Sequence, residues 1–208
     1  MTTKTAMILG ATGLVGKALV NQLCQDERYC QITCLSRAPL ATSDYHDPLK
    51  KIQPLVIEFD QLQDYQGYFT VDHVYCCLGT TLKKAGSKSA FRRVDFEFVH
   101  VCAQLARAQR ANSFVWISAL GANANSSNFY LRVKGELENA ILSMPQLPNA
   151  AAVRPPLLMG SRKETRPAEE WGIKILQAIS PIMKGPLAKY KPVHAQQVAA
   201  EMINLQVF

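Results

Sequence analysis

Ala6-Met7-Ile8-Leu9-Gly10-Ala11-Thr12-Gly13-Leu14-Val15-Gly16 decides the fold of this chain. Four apolar residues read as a buried strand, three glycines follow at every third position, and from Leu14 to Cys24 apolar residues recur three and four apart, as on a helix packed against a sheet. Gly10 permits the tight strand-to-helix turn, Gly13 lets the backbone approach a pyrophosphate, and Gly16 lets helix and sheet pack closely. The free N–H groups around Thr12, Gly13, Leu14 and Val15, with the positive end of the helix dipole, then face the phosphates.

Working outward, the same alternation continues. Strand-like runs fall at Gln31–Leu35, Leu55–Phe59, His73–Leu78, Ser113–Ser118 and Ala150–Val153, with amphipathic stretches at Phe91–Gln109 and Phe129–Leu142. Strands alternating with helices imply right-handed crossovers and an α/β, doubly wound parallel sheet covered on both faces. The 208 residues suit one dinucleotide-binding domain, with a core over 1–160 and a small substrate-side cap over 161–208. In that cap Pro and Gly are frequent, and only Glu169–Ile179 and Ala195–Leu205 are long enough for helices.

Composition, with 48% apolar and 19% charged residues, is that of an ordinary globular protein. No apolar run approaches a membrane span, and Met1–Thr5 lacks the pattern of a secretory leader, so a cytoplasmic location is expected. The six cysteines lack C-x-x-C pairs and read as buried reduced thiols, with Cys76 and Cys77 on opposite strand faces. Four scattered histidines suggest no metal site. Residues 1–80 carry six basic and eight acidic side chains and residues 81–208 carry 17 and eight, which suits a phosphorylated ligand, a nucleic acid or an anionic surface alike.

Individual residues choose among these. After the second strand an NAD site would place an acidic side chain for the ribose 2′-hydroxyl, whereas this chain has Ser36-Arg37. The Arg37 fork and the Ser36 hydroxyl favour a 2′-phosphate, hence NADP(H). Asp60 or Gln61, after the third strand, could meet the adenine amino group. At Leu78-Gly79-Thr80, ending the fourth strand, the bare Gly79 would let a cofactor ribose lie against the backbone.

The fifth strand ends in Ser118, and twelve residues later Tyr130 and Lys134 stand one turn apart on a helix face. Hydride transfer to a carbonyl carbon leaves charge on oxygen, which needs a proton. Tyr130 would supply it, Lys134 would lower the phenol pKa and reach the nicotinamide ribose, and Ser118 would donate a hydrogen bond to the substrate oxygen.

With these residues assembled, the chain resembles the atypical short-chain dehydrogenase/reductases, in particular the Tat-interacting-protein branch of NAD(P)H-binding oxidoreductases. The resemblance rests on Gly10–Gly16 (the G-x-x-G-x-x-G spacing), Cys77-Leu78-Gly79-Thr80-Thr81, Lys84-Ala85-Gly86, Val94-Asp95, Ser127-Asn128-Phe129-Tyr130, Lys134-Gly135-Glu136, Arg154-Pro155 and Thr165-Arg166-Pro167. It implies a Rossmann-like fold, NADPH at the glycine-rich loop and a Ser/Tyr/Lys site. Around Arg154-Pro155-Pro156-Leu157, Pro155 and the Leu157 backbone would border the nicotinamide carboxamide, and Arg154 would make a structural ion pair. The larger short-chain dehydrogenases use an Asn after the fourth strand as a proton relay, and Phe91–Gln109 contains none.

The leading expectation is an NADPH-dependent carbonyl reductase of a small, hydrophobic substrate. A flavin or quinone reductase and an NADPH-sensing binding protein are the alternatives, the latter acting through a protein partner or a homodimer and the basic run Lys83, Lys84, Lys88, Arg92 and Arg93, extended by Lys174, Lys184, Lys189 and Lys191. Nucleic acid is not expected, since the basic run lacks interleaved stacking aromatics. Ile173–Tyr190, apolar residues among lysines, reads as cover for a hydrophobic pocket in preference to a membrane-surface helix.

Overall fold

Six parallel strands form one sheet in the order β3-β2-β1-β4-β5-β6. They are β1 Lys4–Leu9, β2 Tyr29–Ser36, β3 Ile52–Val56, β4 His73–Cys76, β5 Ser113–Ile117 and β6 Ala150–Val153. A computed structural model describes residues 3–147, 149–156, 158–159 and 193–208. The central strands are apolar on both faces because both are covered: Ala6, Ile8, Tyr75 and Val115 join one core, Met7, Leu9, Val74, Cys76, Phe114 and Trp116 the other.

Helix α1, Leu14–Gln25, buries Val15, Leu19, Val20, Leu23 and Cys24 against the first face. The second face is covered by α4, Phe98–Ala108, by α5, Phe129–Leu142, and by a run of 3-10 turns over Phe59–Phe69. Between β4 and α4 lie two short helices, α2 Leu82–Ala85 and α3 Lys88–Arg92, and a π-helical turn at Arg93–Glu97. Strand order reverses between β1 and β4, so the crevice for a ligand opens beyond the carboxyl ends of those strands.

Three sequence expectations need correction. The apolar run Leu55–Phe59 is not the third strand: the strand is Ile52–Val56, in register with Ile32–Ser36, and Phe59 turns inward as the first residue of the 3-10 run. The run looked strand-like because Ile57 and Phe59 are both buried, but they are buried by that turn. The single helix read over Phe91–Gln109 is three pieces, starting at a Ser87 N-cap and interrupted by the π-turn. Finally, the end of the anticipated cap packs elsewhere. Val193–His194 (β8) pairs with Leu158–Met159 (β7), and helix α6, Ala195–Asn204, buries Ala195, Val198, Ala199, Met202 and Ile203 in the α1 core. The expected Glu169–Ile179 helix, the Ile173–Tyr190 stretch and the remainder of the cap lie outside the described residues.

Candidate active site

The glycine-rich turn is built by close approach. Gly10 has φ +83°, and a Cβ there would stand 2.7 Å from the Cys77 carbonyl, so the ends of β1 and β4 touch where a side chain would separate them. A Cβ on Gly16 would stand 2.1 Å from the Gly10 carbonyl, which explains how α1 seats on the loop. The Gly13 N–H closes the turn onto the Gly10 carbonyl at 3.0 Å. Gly13 is also the N-cap of α1, with no side-chain cap and no acid in the first turn, so that helix end keeps its positive character. Thr12 and Gly13 are exposed, Leu14 half-buried and Val15 buried.

A residue the sequence reading missed holds this loop. Tyr45, buried, donates its hydroxyl to the Ala11 carbonyl at 3.1 Å, and burial pushes its phenol up to about 12, so the donor is retained at neutral pH.

At the end of β2 the two specificity candidates part company. Arg37 is exposed, whereas Ser36 is buried and donates its hydroxyl to the Ala38 carbonyl at 2.6 Å. A hydroxyl has one proton, and that bond uses it, so Ser36 shapes the loop in this geometry and does not offer a donor to a phosphate. Asp60 pairs with Arg93 at 2.5 Å, which leaves the neighbouring exposed Gln61 as the freer adenine candidate. Both sit on the 3-10 run, not at a strand end.

Across the switch point, Leu78 and Thr80 are half-buried and Gly79 exposed. The Thr80 N–H donates to Asp95 Oδ2 at 2.8 Å, and Asp95 Oδ1 lies 2.8 Å from Lys134 Nζ, the two side chains being 1% and 3% exposed. Lys134 also donates to the Ile117 carbonyl at 3.4 Å. Ser118 follows with its N–H on the Val153 carbonyl at 2.7 Å; its hydroxyl is buried and has no hydrogen-bond partner among the described residues. Tyr130, half-buried in the first turn of α5, packs its ring against Phe91 with centroids 5.7 Å apart. Pro155 is buried and its carbonyl accepts from Leu120 N–H at 3.2 Å; Leu157 lies outside the described residues.

Asp95 is the main functional candidate that residue-by-residue reading missed. Burial pushes its carboxyl above the ordinary carboxylate range, and Lys134 and the Thr80 N–H pull it back. The signal in the sequence was an acid flanked by two apolar residues, Val94-Asp95-Phe96. Gly135 is a second: a Cβ there would fall 2.2 Å from the Ala124 backbone nitrogen, so the loop from β5 crosses α5 directly beside Lys134.

The basic run is less cationic than its sequence. Arg92 pairs with Glu136, Arg93 with Asp60, and Lys88 stands 5.5 Å over the Phe129 ring. Arg154 takes the structural partner anticipated for it, Glu138. Among the described residues no helix is long and apolar enough to cross a membrane. Burial pushes the Cys24 and Cys34 thiols up to about 12, and raises Cys77 and Cys102 as well, so these thiols are poor nucleophiles.

This arrangement, a glycine-rich turn feeding an uncapped helix at the switch point of a parallel sheet, with Ser, Tyr and Lys on the same edge, defines a Rossmann-like nucleotide-binding protein. The chain belongs to the NAD(P)H-binding family, whose profile matches residues 10–149. It is 34% identical over 170 residues to Protein HTATIP2 of Rattus norvegicus, covering 81% of this chain and 69% of that one. It is 30% identical over 210 residues to Protein FMP52, mitochondrial, of Debaryomyces hansenii, covering 97% and 87%. These relatives bear out the atypical short-chain dehydrogenase/reductase resemblance. The PhqB reductase domain of Penicillium fellutanum shares the fold at TM-score 0.70 and 15% identity; the match covers 100% of this chain but 65% of that one. The cytoplasmic location expected from the sequence is corrected by the relatives: several fungal ones are named mitochondrial.

Proposed function

We propose that this protein is an NADPH-dependent oxidoreductase of the carbonyl reductase type, acting on a small hydrophobic carbonyl compound through Ser118, Tyr130 and Lys134. The observation that carries the reading is the Ser118 hydroxyl, buried and without a partner among the described residues at the carboxyl end of β5, on the sheet edge that also holds the Lys134 ammonium and the glycine-rich loop. A buried hydroxyl without a partner costs about 1–3 kcal/mol, and a substrate oxygen is the partner that would remove that cost.

The chain's own groups fit a dinucleotide. Gly10–Gly16 with the open α1 terminus would hold the pyrophosphate, Arg37 the 2′-phosphate, Gln61 the adenine, and the Leu78-Gly79-Thr80 backbone with Lys134 the nicotinamide ribose. When bound, the reduced dinucleotide supplies a hydride. Tyr130 then gives its phenol proton to the carbonyl oxygen as charge develops there, Ser118 donates a hydrogen bond to the same oxygen, and Pro155 helps wall the pocket from water.

Fluorescence titration with NADPH and NADH, followed by aldehyde, ketone and quinone panels on wild type and Tyr130→Phe, tests this. NADPH should bind at least about tenfold more tightly than NADH, one charge-assisted contact being worth that much. Carbonyl reduction should fall about 10²–10⁴-fold in Tyr130→Phe, while NADPH affinity holds. Quinone or flavin reduction that survives the substitution would replace the carbonyl reading.

A further inference from the structure

Asp95 sits where the helix after β4 departs from regular geometry. It lies in the π-helical turn Arg93–Glu97, between α3 and α4, and a π-turn inserted into a helix often serves a local functional need. Here the turn delivers one carboxylate to two targets on two other elements: the peptide N–H of Thr80 beyond β4, at 2.8 Å, and the ammonium of Lys134 on α5, at 2.8 Å. The approach is close on the third side as well, since a Cβ on Gly79 would stand 3.4 Å from Asp95 Oδ1.

Burying a lysine costs several kcal/mol unless an anion accompanies it, and a lone buried ammonium releases its proton instead. The other charged and titratable groups around the pair do not serve. On α5, Glu138 one turn on is committed to Arg154, and Tyr130 one turn back is a phenol. On the preceding turn Arg92 and Arg93 are committed to Glu136 and Asp60. From the end of β4 the pair meets the Thr80 peptide, and from β5 the Ile117 carbonyl. Among the described residues, Asp95 is therefore the anion available to Lys134.

We propose that Asp95 is a positioning residue of this site: the buried anion shared by Lys134 and the Thr80 peptide, which keeps the Lys134 ammonium charged and fixed at the end of β5. Its bearing on cofactor handling rests on the function proposed above; its role as counter-ion does not. In the chain that lacks the expected relay Asn, the helix after β4 thus contributes a carboxylate to the lysine itself.

The test compares wild type, Asp95→Asn, Lys134→Met and the double variant in two measurements. The first is thermal melting of the protein without nucleotide from pH 7 to pH 9.5. In Asp95→Asn the buried Lys134 loses its anion, and a lone buried ammonium is driven to release its proton. The unfolded chain then holds a proton the native state has released, and native stability rises with pH across that window. The Asp95→Asn melting temperature should lie roughly 6–10 °C below wild type at pH 7, with the gap at least about halved by pH 9.5. Lys134→Met and the double variant carry no such titration, and the double variant should melt above Asp95→Asn at pH 7. A gap independent of pH would mean a packing role and overturn the proposal. Should Asp95→Asn fail to fold, a folded double variant supports the counter-ion role and an unfolded one overturns it. The second measurement is NADPH titration: Asp95→Asn should bind at least about tenfold more weakly at pH 9 than wild type, and affinity within twofold of wild type at every pH would overturn the positioning role. A wild-type chain indifferent to NADPH would sink the proposed function, while the melting series would still decide the counter-ion role.

Discussion

The two ends of the parallel sheet both bury polar side chains, and they do so in opposite ways. At the amino end, Tyr29 shares hydrogen bonds with His73 Nδ1 at 2.6 Å and with the Tyr75 hydroxyl at 2.7 Å, while His73 Nε2 donates to the Val207 carbonyl at 2.9 Å. Phe208 borders the cluster, its ring edge-on to Tyr29 and His73 and under the Arg28 guanidinium. Every hydroxyl and ring nitrogen of Tyr29, His73 and Tyr75 has a partner and none need be charged. At the carboxyl end stand a buried ion pair, Asp95–Lys134, and a buried hydroxyl with no partner among the described residues, Ser118. The Tyr29–His73–Tyr75 network is finished by the chain itself and stabilises it, while the amide nitrogen of Gln206 beside it has no partner among the described residues. On the proposed function, a ligand at the other end relieves the cost of its buried hydroxyl, which is how binding and reacting sites differ from structural polar cores.

The comparison breaks most sharply at the hydroxyls. Ser118→Ala should lower carbonyl turnover about a hundredfold, the loss typical of one donor to a developing oxyanion, and leave the melting temperature unchanged or slightly higher. A clear drop in melting temperature would show that Ser118 belongs with the structural polar groups. Tyr29→Phe should do the reverse: it strands the His73 and Tyr75 partners and costs about 1–3 kcal/mol in urea unfolding, with NADPH affinity unaffected. A change in NADPH affinity would couple the two ends and undo the contrast.

The smallest effect concerns acid. Burial holds the His73 pKa below its ordinary 6.5. The neutral ring already uses both nitrogens, donating from one and accepting the Tyr29 proton at the other, so a second ring proton would displace Tyr29. Unfolded chains take up that proton as pH falls through about 6.5 and the native state does not, so stability should decline below that pH. Urea midpoints at pH 7.5 and 5.0 for wild type and His73→Gln check it: the variant should lose part of the acid sensitivity, and equal sensitivity in both would assign it elsewhere.

How far the sequence could be read depended on whether a residue's role was local. Gly10, Gly13 and Gly16 were legible because turn, backbone approach and helix packing are set within seven residues. The spacing of Tyr130 and Lys134 is likewise a property of one helix. The place of Asp60 on a 3-10 run was not legible because it depends on where β3 stops, and that is decided by pairing with β2 in a register that begins at Ile52. The bond from Ser36 to the Ala38 carbonyl was not legible because it depends on a loop geometry no composition reveals. The expected cytoplasmic location did not hold because the absence of a leader pattern says little, and several fungal relatives are named mitochondrial.

By itself the sequence determined the strand–turn–helix unit, the alternation that makes a parallel sheet, and the presence of Ser118, Tyr130 and Lys134 on elements that end at one edge. Those follow from periodicity and from glycine, which act over a few residues. Only the tertiary structure decided that Asp95 and Lys134 share a buried site, that Tyr45 holds the glycine-rich loop, and that α6 packs into the α1 core. Each joins segments distant in sequence, and whether two such groups meet depends on the packing of whole elements, which no short stretch of residues encodes.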